Sequence, residues 1–136
     1  MKAFAFRLTP GDDLKRGIVG FAERHGLRAP VLLTCVGSLT RLAVRLAGAS
    51  EVLVREGRFE IVSLVGCADP PKGHLHLCVA DDTGATLGGH LMDGCVVYTT
   101  AEVMLGELPG VTFRREPDPT TGYTELVVEG ETPNQW

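Results

Sequence analysis

Only one stretch of this chain carries a helical period, and that fixes the fold class. In "TPGDDLKRGIVGFAERHG", Leu14, Ile18 and Phe21 recur at helical spacing, with Val19 and Ala22 beside them. Asp12 or Asp13 can cap the start and complement the dipole, and Gly26 supplies a stop signal. Elsewhere the chain reads as strands. "MKAFAFRL" alternates with period two, Phe4, Phe6 and Leu8 facing one way. "APVLLTCVGSLTRLAVRLA" predicts one or two strands, bent at Gly37, and "GRFEIVSLVGCA" predicts another, ended by the break at Asp69 to Pro71. "GHLHLCVA" and "ATLGGHL" form a hairpin around "DDTG". "GCVVYTTAEVML", "VTFRRE" and "YTELVVE" complete the set. The expected class is α+β, one main helix packed on a mostly antiparallel β-sheet. One helix cannot cover seven or eight strands. The remaining apolar surface must curl on itself or pack on another subunit, so self-association is expected.

The 136 residues predict a single domain, 1–136, with its core over about 3–128. The tail, 129–136, is expected to be loose unless Trp136 docks. Apolar residues make up 44% and charged residues 22%, as in an ordinary globular protein. The formal net charge of −4 argues against a broad basic surface for nucleic acid. No apolar run reaches the about 18 residues of a membrane span. The first strand breaks at Pro10 without a secretory h-region, so a cytoplasmic location is expected. Cys35, Cys67, Cys78 and Cys95 show no C-x-x-C pair and read as reduced, packed thiols.

Three of the four histidines, His74, His76 and His90, fall in one short segment. Residues two apart share a strand face, so His74, His76, Cys78 and Ala80 line one side. Leu75, Leu77 and Val79 line the other, as core. The turn decides whether His90 joins them. A three-residue loop, Asp82-Thr83-Gly84, pairs Asp81 with Ala85 and sets His76 opposite His90. A two-residue loop would flip the register and dissolve the cluster. Three convergent imidazoles suit zinc, or less decisively another divalent transition metal, and leave a fourth position open. Water there could become a nucleophile. The plainer alternative is a set of surface or interface imidazoles. Gly88 and Gly89 leave room for a ligand or a neighbouring backbone. Glu60 and Glu102 are acids inside apolar strands, available to ion pairs or to a pocket. His25 reads as a structural group near the helix end. No nucleophile elbow, P-loop or dinucleotide fingerprint is present, and nothing marks Ser63 or a cysteine as activated.

Taken together, "FRLTPGDDL", "VGSLTRLAVRL", "GRFEIVSLVG", "HLHLCVADDTGATLGGHL", "GCVVYTTAEVML" and "FRREPDPTTGYTEL" resemble the plant-and-prokaryote-conserved (PPC) domain, over about residues 3–128. The resemblance implies a compact α+β domain with an antiparallel sheet that associates as a homotrimer. It implies a metal at His74, His76 and His90, as in some relatives. It ties Gly57, Arg58, Phe59, Glu60 and Ile61 to contacts with partner proteins or to a ligand pocket. In plants the domain follows an AT-hook, a basic arm for A·T-rich DNA. This sequence contains no R-G-R-P segment. Only Arg41, Arg45, Arg55, Arg114 and Arg115 offer a DNA-binding patch, most readily in an assembly.

Three readings follow. The favoured one is a self-associating domain with a three-histidine metal or small-ligand site. The second is a DNA-binding transcriptional regulator. The third is a metal-dependent hydrolase, which requires an acid such as Glu60 or Glu102 near the bound water.

Overall fold

The computed structural model describes residues 1–130, and the expectation for the rest of the tail, Trp136 included, lies outside them. In chain order the elements are β1 (Lys2–Leu8), α1 (Leu14–Arg24), β2 (Pro30–Arg45), β3 (Val52–Cys67), β4 (His74–Ala80), β5 (Thr86–Leu91), β6 (Val96–Glu107), β7 (Val111–Pro117) and β8 (Thr124–Gly130). The α+β class with a mostly antiparallel sheet is the one the sequence predicts.

Six strands form one sheet in the order β1-β6-β2-β3-β4-β5. The sheet then curls until β5 meets the end of β2, through Val44 opposite Leu91 and Arg45 opposite His90. Curling is one of the two solutions open to a chain with a single helix. β2 is one continuous strand, not two. Its register against β6 shifts between Leu32 and Thr34 and on either side of Leu39, so irregularities absorb the bend expected at Gly37. β7 and β8 form a separate two-stranded ribbon, which the sequence reading had merged into the main sheet. The ribbon is tied back by Phe113 N donating to Arg28 O at 2.8 Å.

Asp13, not Asp12, caps α1, accepting from Arg16 N at 3.0 Å. Its other oxygen accepts from Gly94 N at 2.6 Å, which joins the helix start to the turn before β6. Asp12 instead accepts from the backbone and hydroxyl of Thr9. Leu14, Ile18, Val19 and Ala22 are buried against the sheet. Phe21 is half-buried and stacks on Phe6 with ring centroids 4.0 Å apart. His25 stacks on Phe21, and its Nδ1 lies 2.9 Å from Phe21 O, a local structural contact. All four cysteines are free thiols, Cys35 and Cys95 buried and the other two partly so. Among the described residues no helix is long and apolar enough to cross a membrane.

Candidate metal centre

The β4–β5 hairpin builds the site. Asp81 N donates to Ala85 O at 3.0 Å. The Asp81 carboxylate accepts from Thr83 N, Thr83 Oγ1 and Ala85 N at 2.7–3.0 Å, a local network that closes the three-residue turn. Gly84 takes the left-handed conformation there, with φ of +83°. This turn fixes the register, and His76 pairs with His90 across the ladder. Leu75, Leu77 and Val79 point inward and are almost fully buried, which leaves His74 and His76 on the outer face.

The three rings converge. Their centroids are 5.1 Å apart for His74–His76 and His74–His90, and 5.5 Å for His76–His90. One ring nitrogen from each lies within 4.8 Å of the other two. The Nε2 atoms of His74 and His76 are 3.1 Å apart. Two nitrogens sharing one tetrahedral ion at 2.0–2.1 Å stand about 3.3 Å apart, so this pair needs almost no movement to share one. Burial first, then the charges of its neighbours, lowers His90 to about 4, with His74, Lys15 and Arg45 contributing. Burial, His76 and Arg115 lower His74 in the same direction. Both rings are therefore neutral at pH 7 and keep a lone pair for a metal. The donor set fits a divalent transition ion, zinc foremost.

Beside the triad lies an open cavity of about 620 Å³, lined in part by His74 and His90. Its far wall comes from the β7–β8 ribbon. There Arg115 makes a two-point ion pair with Asp69, both hydrogen bonds 2.8 Å long. Asp69 is 3% exposed, so the pair is anchored inside the protein. In the sequence Asp69 marks only the start of a chain break, and Arg115 stands among the arginines open to a DNA-binding patch or to ordinary surface charge. Lys15 and Lys72, which also line the cavity, were not singled out. No sequence period could have found them, because the cavity draws on a helix, a loop and a ribbon far apart in the chain.

The other expected site residues fall elsewhere. Gly57, Arg58 and Phe59 line a separate cavity of about 550 Å³, away from the histidines. Arg58 lies over the Tyr98 ring, 5.5 Å from its centroid. Glu60 is exposed between Ser38 and Ala80 in the ladder, and no ion pair holds it among the described residues. Ile61 is core, 7% exposed. Glu102 is exposed on β6 opposite Arg7. Neither acid lines the histidine cavity. Gly88 and Gly89 serve the neighbouring backbone. A Cβ at Gly88 would stand 2.6 Å from Leu77 O, and one at Gly89 would stand 2.6 Å from Arg45 O. The five arginines form no single patch: Arg45 and Arg115 line the histidine cavity, and Arg55 lines the other one. Arg41 pairs with Glu56, Arg114 with Glu116 and Glu129, and Arg115 with Asp69. Arg55 donates to its neighbour's carbonyl, Val54 O.

The pattern of the Plants and Prokaryotes Conserved (PCC) domain matches residues 1–109. The chain belongs to this family. The PPC fold is shared closely with a hypothetical protein of Salmonella enterica, 41% identical, with a TM-score of 0.92 over 96% of this chain and 95% of that one. A metal-containing protein of Archaeoglobus fulgidus is 29% identical, with a TM-score of 0.74 over 93% and 94% of the two chains. The bifunctional protein GlmU of a Synechococcus strain is 45% identical over 129 residues. That match takes in 95% of this PPC chain but 21% of the GlmU length, so the chain spans about a fifth of that relative.

Proposed function

We propose that this PPC protein is a self-associating domain, a homotrimer, that holds one divalent transition ion, zinc foremost, on His74, His76 and His90. One observation carries the reading. Three imidazoles from two paired strands converge on an outer face beside a cavity. The metal-containing relative from Archaeoglobus supports it.

The part played by the chain is holding and orienting. The β4–β5 register sets the spacing of His76 and His90, and the buried leucines beneath them fix the strand. Such an ion, with three protein ligands, would supply a Lewis-acidic position for a fourth group. Arg115, braced by Asp69, borders the space where that group would sit.

Self-association is supported by apolar side chains left in water. Met104 on β6, Leu33 and Val36 on β2, and Val62 and Val65 on β3 are 44–58% exposed, on three adjacent strands. Burying such a band on a second copy is favourable at roughly 25 cal/mol per Å². A domain that assembles through its sheet while keeping its own pocket also suits use as one module of a longer chain, as in the GlmU match. Light scattering tests the assembly. A mass near three times 14.5 kDa is expected, falling to the single-chain mass in Val36→Asp/Val65→Asp. A wild-type monomer at high concentration contradicts it.

A further inference from the structure

We infer that the cavity beside the three histidines binds a small oxyanion, a carboxylate or a phosphate, held between its cationic wall and the metal position. The share of the ion rests on the metal reading above. The share of the wall does not.

The charge distribution carries the argument. The chain has a formal net charge of −4. Yet this cavity gathers Lys15 from α1, Arg45 from the end of β2, Lys72 from the loop before β4, and Arg115 from β7. Against them stand two carboxylates, Asp69 and Glu125. Asp69 is spent on Arg115. Glu125 accepts from the Thr121 hydroxyl at 2.9 Å. Among the described residues Lys15, Lys72 and Arg45 have no ion-pair partner. The four cations outnumber the two carboxylates, and this surplus of positive charge, drawn from four distant segments, favours an anion between them.

Arg115 is built for the task. Asp69 engages its Nε and one terminal nitrogen, which fixes the plane of the guanidinium. The other terminal nitrogen makes no hydrogen bond among the described residues, while the side chain lines the cavity. An immobilised donor with a spare N–H costs little entropy when an anion arrives. The metal position adds to this demand. Three imidazole ligands bring no negative charge, so a divalent ion there would keep its full charge and favour an anionic fourth ligand. The cavity volume of about 620 Å³ lies in the range of small-ligand sites. The ribbon that supplies Arg115, Tyr123 and Glu125 follows residue 109, where the family match ends. One wall of the cavity thus comes from a part of the chain outside that match, and the rest from within it.

Calorimetric titration with oxalate and with inorganic phosphate tests the inference. It uses zinc-loaded protein freed of excess metal, metal-free protein, and Lys15→Gln/Lys72→Gln in both states. The expected result is one anion per zinc-loaded chain, with affinity about tenfold lower in the double variant at unchanged zinc content. Preference for oxalate identifies carboxylates as the ligand class, and preference for phosphate identifies phosphate esters. A zinc-loaded protein that binds neither anion, or binds equally well in the double variant, overturns the inference. A protein that takes up no zinc refutes the metal reading alone. The metal-free titration then decides: anion binding weakened by the variant upholds the cationic site, and absence of binding ends it.

Discussion

His76 faces His90 directly across the β4–β5 ladder, with ring centroids 5.5 Å apart. His74, two residues before His76 on the same strand face, closes the triangle at 5.1 Å from each. The site is thus a consequence of one hairpin register. That register is fixed by a turn in which Asp81 and Gly84 do the local work.

His76→Ala removes one of the three proposed ligands from an exposed position and disturbs no core packing. The expected outcome is loss of metal with assembly and fold retained. Metal analysis beside light scattering checks it. Collapse of the assembly would show that the histidines act as structural glue.

Gly89→Ala places a Cβ 2.6 Å from Arg45 O, where the curled sheet closes. The backbone must move, at an expected cost of about 1–3 kcal/mol. Because His90 is the next residue, metal affinity should fall as well. Urea unfolding and a zinc competition titration measure the two effects separately.

Much of this was legible in the sequence because it is local. Period-two alternation marked the outward histidines and the inward leucines of β4. The glycine of the "DDTG" turn marked the register that joins His90 to them. What was not legible depends on chain reversal. The closure of β5 on β2 is a long-range pairing with no local signature. The ribbon's alternation is the same whether it joins the main sheet or stands apart. Asp69 and Arg115 are 46 residues apart, so neither could announce the other. Glu60 and Glu102 interrupt apolar strands, which leaves a solvated face, an ion pair or a pocket open to them in the sequence. They sit on the solvent face, where alternation permits them.

Asp69→Ala leaves the Arg115 guanidinium without its two-point partner. A fully buried pair broken on one side costs about 3–5 kcal/mol. Arg115 keeps 21% of its side chain in water, so about 2 kcal/mol is expected. The ribbon should loosen first. Hydrogen exchange of the β7–β8 amides, beside denaturant unfolding, tests both statements.

Burial raises the Cys35 and Cys95 thiols from 9.0 to about 11. In the unfolded chain they ionise near 9.0, so the folded state binds more protons between the two values. Their contribution to stability is therefore full below pH 9 and is lost as pH rises towards 11. Native protein at pH 8 should leave both thiols unreactive to a disulfide-exchange reagent, and urea should expose them. Fast modification of both in the folded protein would contradict their burial.

The central claim is that three imidazoles hold one ion. Its most direct test is the zinc content of purified, untagged protein by mass spectrometry after equilibration with the metal and removal of excess. The account predicts one ion per chain in the wild type and none in His76→Ala. A wild-type protein that retains no zinc or other divalent transition ion, or a variant that retains as much, would contradict it.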